Sequence, residues 1–371
     1  MSSRLLPPAT IGILGGGQLG QMMALSAKMQ GYKVVVLDPD PDCPCSSIAD
    51  TLIIAEYDDE GAFKRLCLLS DTVTYEFENV DVTCVEKFSK EHRIPQGSEC
   101  LRLSQHRITE KDFARDCGLQ TVDYRSIKSH EELTECKKMN FPILIKTCRF
   151  GYDGKGQWLL NSPEELDEIE LSWPNEYIAE EKCSFEKEIS VVICRSVKNT
   201  VAFEPFENTH SNGILAVSLN PAKVSESLKK QAIEWTKIIA EKSNYIGTMA
   251  VEYFVVGDRL YFNEMAPRPH NSGHATIEGY SMSQFDLHIR AICGFPLEEP
   301  RLLQPTVMMN LLGQDIKKLN EWLSKEDAIG THIHLYSKTK CVNNRKMGHL
   351  TFTGATLDQA LKHSESWRTY Q

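Results

Sequence analysis

Ala250-Val251-Glu252-Tyr253-Phe254-Val255-Val256 and Leu260-Tyr261-Phe262-Asn263-Glu264-Met265 are two β-branched and aromatic runs on either side of Gly257-Asp258-Arg259, a three-residue hairpin loop by its spacing. In that register Val256 faces Leu260, and Glu252 faces Glu264 directly across the ladder. Their neighbours Val251, Tyr253, Phe254, Tyr261 and Phe262 favour burial. Opposed carboxylates in such a setting repel unless protons or a cation compensate them. Carboxylate oxygens combined with phosphate oxygens are the ligand set that Mg²⁺ prefers. A solvated face on an edge hairpin is the plainer alternative, and the apolar flanks argue against it. Immediately downstream, Ala266-Pro267-Arg268-Pro269-His270-Asn271-Ser272-Gly273-His274 crowds polar side chains beside the carboxylates on a proline-stiffened run. Arg268 and His270 suit a planar anion such as bicarbonate.

Lys146 ends a strand expected over Pro142–Lys146 and precedes Gly151-Tyr152-Asp153-Gly154-Lys155-Gly156-Gln157. Three glycines in six residues make a loop whose backbone amides can fold over phosphates, and Lys146 can neutralise a phosphoryl oxygen. The Lys-Ser/Thr ending of a P-loop is absent. A plain hairpin turned by Asp153-Gly154 explains two of these residues but leaves Tyr152, Lys155 and the extra glycine unexplained.

The first hundred residues alternate in a βα rhythm. Strands are expected at Ile11–Leu14, Lys33–Leu37, Leu52–Ile54 and Thr72–Tyr75, and helices at Gln18–Gln30, Asp59–Leu69 and Val82–Glu91. That order implies a parallel, doubly wound sheet. Gly15-Gly16-Gly17-Gln18-Leu19-Gly20 between the first strand and helix, with Asp38 ending the next strand, resembles a dinucleotide-binding turn. The same turn serves equally to pack a strand on a helix or to hold another phosphorylated ligand. Farther along, a helix is expected over Thr109–Cys117, stopped by Gly118, and another over Glu226–Ser243. Strands are expected at Glu188–Arg195, Thr331–Tyr336 and His349–Thr353. His332 and His334 share a strand face with Tyr336 and read as structural histidines. Lys338, Lys340, Arg345, Lys346 and His349 form a late basic group, which taken alone reads equally well as a solvated charge run.

The 371 residues leave room for two or three domains, and 41% hydrophobic with 25% charged residues describes a globular chain. With 41 basic against 51 acidic residues the net charge is -10, which disfavours nucleic acid and anionic membranes as partners. An anionic substrate therefore needs a local basic cluster. No segment approaches a membrane span, and the N-terminus lacks the apolar region of a signal peptide. The twelve cysteines are scattered, and Cys43-Pro44-Cys45 has no partner pair that would complete a zinc site. Reduced thiols in the cytoplasm are the expectation.

Taken together the motifs resemble the ATP-grasp superfamily and, within it, the ATP-dependent aminoimidazole ribonucleotide (AIR) carboxylases. The resemblance runs from about Ile11 to His349. It rests on Thr74-Tyr75-Glu76-Phe77-Glu78-Asn79, Gly151–Gln157, Ala266–His274 and Lys346-Met347-Gly348-His349. It implies an α/β chain with three parts. These are a Rossmann-like domain over 1–104, an ATP-grasp domain over 105–300 with a lid at about 115–180, and a small β-rich unit over 301–371. It further implies that Arg107, Lys146 and Gly151–Gln157 (with Tyr152, Asp153, Gly154, Lys155 and Gly156 between) hold the ATP phosphates. Glu180, Glu181, Lys182 and Cys183 would form the hinge against adenine, with Glu188 on the ribose and His210 and Asn263 at the nucleotide. Glu252 and Glu264 would bind Mg²⁺, with Mn²⁺ as a substitute. Tyr152, Asp153, Lys155, Lys338 and Arg345 would grip AIR, the last two at its phosphate. Arg268, His270 and Asn271 would place bicarbonate, with Asp153 also at the reacting groups.

The implied reaction is ATP- and bicarbonate-dependent carboxylation of AIR in purine synthesis, through carboxyphosphate, by a cytoplasmic homodimer. In that family the glycine turn binds no dinucleotide. Another ATP-grasp ligase, such as a formate-dependent glycinamide ribonucleotide transformylase, is the alternative reading. Three positions depart from the family pattern. Phe150 stands for a glycine before the loop, His106 stands for Asp in Gln105-His106-Arg107, and Ser337 stands for Gly in Tyr336-Ser337-Lys338. None removes a charged group assigned above.

Overall fold

The computed structural model describes residues 4–149, 151 and 156–369. The loop residues Tyr152, Asp153, Gly154 and Lys155, and the departure at Phe150, lie outside them. Among the described residues the strands form three sheets. The first is parallel, with Thr10–Leu14 between Lys33–Asp38 and Thr72–Tyr75, and Thr51–Ile54 outside Lys33–Asp38. The apolar runs that made these strands legible are buried on both faces, as parallel strands are. One face is closed by Gln18–Met29, whose Leu19, Met22 and Met23 share a core with Phe285, Ile289 and Ile292 of the helix Gln284–Ile292. The N-terminal domain is thus cored partly by the domain that follows it.

The glycine turn does not present its amides to a ligand. Gly16 N–H donates to Asp38 Oδ2 at 2.7 Å, Gly17 N–H to Glu76 Oε1 at 2.5 Å and Gly20 N–H to Glu76 Oε2 at 2.6 Å. A buried carboxylate of the chain itself occupies the place where a phosphate would lie, which removes the dinucleotide reading. A Cβ on Gly17 would stand 2.4 Å from Glu76 Oε1, so the close approach of that carboxylate requires glycine there.

The second sheet is antiparallel and carries most of the functional side chains. Arg259–Ala266, Gly247–Val256, Lys187–Arg195, Phe206–Ser211 and Ile214–Asn220 lie in that order. Ile214–Asn220 then pairs with Thr306–Leu312, which pairs with Lys346–Thr353. His332–Leu335 completes the edge. The sheet therefore runs without a break across residue 300, and the β-rich C-terminal unit extends it. The third sheet, Tyr124–Ile127, Tyr177–Glu181, Ile143–Thr147 and Gln157–Leu160, forms the lid over its own core of Ile127, Leu133, Ile143, Ile145 and Ala179.

The hairpin differs from expectation in a way that cancels. Its loop is Gly257-Asp258, with Val256 opposite Arg259 and Val255 opposite Leu260. Gly257 has φ +57°, suited to the first position of a two-residue turn. A bulge between Glu252 and Tyr253 on one strand, which leaves Asn263 extra on the other, then restores the Glu252–Glu264 pair.

Buried polar contacts tie the first domain to the second. Thr74 Oγ1 lies 2.8 Å from His288 Nε2, whose Nδ1 accepts Thr248 N–H at 3.0 Å. Gln96 Nε2 donates to Tyr245 Oη and to the Pro267 carbonyl. Burial holds His288 down at about 3, so the imidazole is neutral at physiological pH.

Gly17→Ala should lower stability by about 1–3 kcal/mol, the usual cost of forcing a methyl into a filled site, read as a lower urea midpoint. An unchanged midpoint would show that Glu76 does not fill the turn. Calorimetry on the wild-type protein should likewise find no saturable NAD(H) binding.

Candidate active site

The lid, the central sheet and the glycine-turn domain enclose one cleft of about 990 Å³. Its floor is the carboxylate-bearing hairpin. Glu252 is buried, and three donors gather there, since Glu188, His210 and Glu252 present ligand atoms within 4.8 Å of one another. His210 Nδ1 lies 3.2 Å from Glu188 Oε2, and His270 Nε2 lies 3.4 Å from Glu252 Oε1. Burial pushes the Glu252 carboxyl well above its ordinary range, and repulsion from Glu188 and Glu264 adds to it. Glu264, half-exposed, has Arg107 Nη1 at 3.4 Å. Its carboxylates are hard oxygen donors short of positive charge, with the His210 nitrogen beside them, which fits a divalent cation such as Mg²⁺. This cluster pairs Glu252 with Glu188 and His210, two residues that the resemblance had set on the nucleotide.

Above this floor the lid and the helix before it supply cations. Lys146, at the end of its strand, contacts Glu180 Oε2 at 2.5 Å, and Lys111 approaches Glu180 Oε1 at 3.3 Å. Burial would raise the Glu180 carboxyl, but Lys111 and Lys146 outweigh it and hold it at about 2. Arg107 reaches the Gly151 carbonyl at 3.4 Å as well as Glu264, joining the glycine loop to the hairpin. Gly156 and Gln157 line the same cleft. Asn263 lines it too, and its carbonyl accepts from Lys111 Nζ.

The hinge residues are engaged more fully than the sequence suggests. Glu181 Oε1 accepts from the backbone and side chain of Asn140, and Lys182 N–H donates to the Pro142 carbonyl at 2.9 Å. Neither group is therefore directed at a base. Cys183 is half-buried beyond the strand end.

The proline-stiffened run forms the next wall. Arg268 makes a two-pronged pair with Glu78, with Nη2 donating to Oε1 at 2.9 Å and Nε to Oε2. Glu78 lies in the Thr74–Asn79 stretch, so this pair also bridges two domains. Burial pushes His270 well below its ordinary value, and Arg268 and Lys346 push it further, leaving a neutral imidazole. Its Nδ1 pairs with Ser272 Oγ at 2.8 Å. Asn271 exchanges both amide bonds with Asn310, which fixes it as part of the wall.

At the far end Lys338 and Arg345 line the cleft beside the glycine turn. Lys338 Nζ donates to two neutral oxygens, Gln18 Oε1 at 2.6 Å and the Lys346 carbonyl at 2.7 Å. Burial, with Arg345 and Lys346 nearby, brings its ammonium down to about 8.

The structure adds Glu78, Glu110 and Lys111 to the residues named from sequence. Glu110 Oε1 accepts Met265 N–H at 2.7 Å, and burial, with Glu264 adding, raises its carboxyl. Arg107, Glu110 and Lys111 fall on one face at three- and four-residue spacing, the signal that could have found them. Their helix occupies Arg107–Asp116.

Because Glu252 is harder to ionise in the folded chain, its contribution favours folding below the ordinary carboxylate range and is lost as pH rises through its raised folded value. Glu252→Gln should therefore melt higher than wild type at pH 8 in metal-free buffer. The gap should shrink as pH falls toward the ordinary carboxylate range. A variant that melts lower at pH 8 would show that Glu252 is compensated within the chain itself.

Three family models match the chain in order. They describe a ribonucleotide synthetase pre-ATP-grasp domain over residues 8–105, an ATP-grasp domain over 112–285 and a phosphoribosylaminoimidazole carboxylase C-terminal domain over 306–363. The N5-carboxyaminoimidazole ribonucleotide synthase of Bacillus subtilis is 42% identical over 359 residues, 95% of this chain and 93% of its own. A crystallised N5-carboxyaminoimidazole ribonucleotide synthetase in its ADP complex superposes with TM-score 0.95 at 44% identity, covering 100% of both chains. The Aspergillus clavatus synthase, solved with ADP and 5-aminoimidazole ribonucleotide, gives TM-score 0.88 at 27% identity over 98% of each chain. The chain belongs to the N5-carboxyaminoimidazole ribonucleotide synthase family of ATP-grasp ligases.

Proposed function

We propose that this chain uses ATP and bicarbonate to carboxylate the amine of 5-aminoimidazole ribonucleotide, giving N5-carboxyaminoimidazole ribonucleotide. One observation carries the proposal. A single cleft joins a cation-seeking carboxylate cluster and Lys146 to Arg268 and His270, and then to the basic pair Lys338 and Arg345. A nucleotide triphosphate, a small planar anion and a phosphorylated amine fit along that line in the order the reaction needs.

Bicarbonate oxygen attacks the γ-phosphorus of ATP, and ADP leaves with the bonding pair. Lys146, Arg107 and the glycine loop neutralise charge on the transferring group. Mg²⁺, held by Glu252 and Glu264 with Glu188 beside them, supplies the remaining positive charge when bound. Arg268, oriented by Glu78, and the neutral His270 hold the carboxyl part of carboxyphosphate. That species breaks down to CO₂ and phosphate in a site that must exclude water. The amine of the ribonucleotide attacks CO₂, and the released phosphate takes the amine proton. No enzyme nucleophile is needed. Asp153, Tyr152 and Lys155, from the family motif, complete the amine side of this proposal. The homodimer and the cytoplasmic setting belong to it too. All twelve cysteines are free thiols, and no helix among the described residues is long and apolar enough to cross a membrane, both compatible with that setting.

Glu264→Gln should cut ADP formation by about 10²–10³-fold, the scale seen when one preorganised charge-stabilising group is lost. Glu264 is half-exposed, so the thermal midpoint should hardly move. Near-normal turnover would remove it from the metal site. Arg345→Ala deletes one charge-assisted contact, worth about 1.5–3 kcal/mol or roughly ten- to a hundredfold in affinity. The KM for the ribonucleotide should rise by that factor with the KM for ATP unchanged. The reverse split would assign the basic pair to the nucleotide.

A further inference from the structure

Where Cys148 lines the cleft, three side chains from separate elements converge. His106, Cys148 and Glu176 bring a ring nitrogen, a sulphur and a carboxylate oxygen within 4.8 Å of one another. His106 caps the helix Arg107–Asp116, Cys148 follows the strand Ile143–Thr147, and Glu176 precedes Tyr177–Glu181. The backbone holds them together, because Cys148 N–H donates to the Glu176 carbonyl at 3.0 Å and Arg107 N–H to the Cys148 carbonyl at 3.1 Å. Cys148 is 2% exposed yet lines the cleft.

The plainer account is an ion pair, since His106 Nε2 lies 2.9 Å from Glu176 Oε2. That explains two of the three groups and leaves the thiol unexplained. Thiolate, imidazole and carboxylate together are a donor set that Zn²⁺ takes in tetrahedral coordination, with a fourth position for water. We propose that His106, Cys148 and Glu176 form a site for a thiophilic divalent cation, Zn²⁺ foremost, which ties the lid sheet to the helix that carries Arg107.

Protons balance simply. Cation binding releases the Cys148 thiol proton to solvent and moves the imidazole proton from Nε2 to Nδ1. Nδ1, which accepts the Thr109 N–H at 3.4 Å in the helix cap, gives up that contact, and its new N–H donates to Thr109 Oγ1, 3.3 Å away. Lys128 Nζ lies 3.5 Å from Glu176 Oε1 on an exposed stem, free to swing away as the cation enters. With lid and helix joined, the lid loses the freedom to open over ATP, so occupancy inhibits turnover.

Cobalt(II) titration of the full, reduced, metal-free chain tests this, with excess Mg²⁺ present to occupy the carboxylate cluster. One Co²⁺ per chain should bind with thiolate-to-cobalt charge-transfer absorption, and Zn²⁺ should displace it. The absorption should vanish in Cys148→Ser and need at least tenfold more Co²⁺ in His106→Asn, a change that keeps a capping side chain. Zn²⁺ should inhibit wild-type ADP formation over the range that fills the site and should spare Cys148→Ser relative to its own uninhibited rate. The spectroscopic arm requires no carboxylation, so it stands apart from the proposed function. Absorption that persists in Cys148→Ser would assign the metal to another thiol. Binding without thiolate absorption that Glu252→Gln abolishes would assign it to the carboxylate cluster. Either result overturns the proposal.

Discussion

Like charges buried in one cleft are the constraint around which this protein is organised. Glu188, Glu252, Glu264 and Glu110 crowd one floor, and burial there disfavours the ionised carboxylates of Glu252 and Glu110. The chain compensates only some of them. Arg107 reaches Glu264, and Lys111 and Lys146 are committed to Glu180. The imidazole beside Glu252, His270 at 3.4 Å, is neutral and brings it no charge. A site whose own side chains leave it short of positive charge is one in which a metal–nucleotide complex gains more than it would on a neutral surface. The same repulsion is costly on folding, so stability and ligand binding are opposed at one residue.

The rest of the architecture holds that floor still. The Thr74–His288–Thr248 contacts and Gln96 on the Pro267 carbonyl fasten the first domain beneath the run that carries Arg268. Glu78 then crosses the same boundary to orient the Arg268 guanidinium. Glu76, two residues away, fills the glycine turn. One short segment, Glu76-Phe77-Glu78, therefore fills the glycine turn and aims an arginine in the active cleft. This makes the first domain part of the site even though its own turn holds no nucleotide.

Much of this was legible in the sequence because its physics is local. Apolar strands in a βα rhythm show the parallel sheet, and a strand-borne carboxylate pair shows the floor. The pairing of Glu252 with Glu264 was reached through an incorrect loop length, which the bulge at Asn263 offsets. Alternation along a strand carries no mark for a bulge, so that part was not readable. Nor was Glu76 in the glycine turn, since the contact joins the ends of two paired strands some sixty residues apart and resembles nothing at either position alone. The continuation of the central sheet through Thr306–Leu312 was missed for the same reason, as partner choice between distant strands is a tertiary matter. Lys111 and Glu110 were readable in principle, as charges at helical spacing, but burial of a lysine is a property of its surroundings.

The central claim is that one cleft couples ATP cleavage to a bond between bicarbonate carbon and the ribonucleotide amine. Incubating the protein with Mg-ATP, carbon-13-labelled bicarbonate and 5-aminoimidazole ribonucleotide, and following ADP and the labelled carbon by NMR, tests it directly. The account predicts ADP release that needs both co-substrates, with the label appearing as a carbamate on the exocyclic amine. ADP release indifferent to bicarbonate, or label that never enters the ribonucleotide, would contradict it.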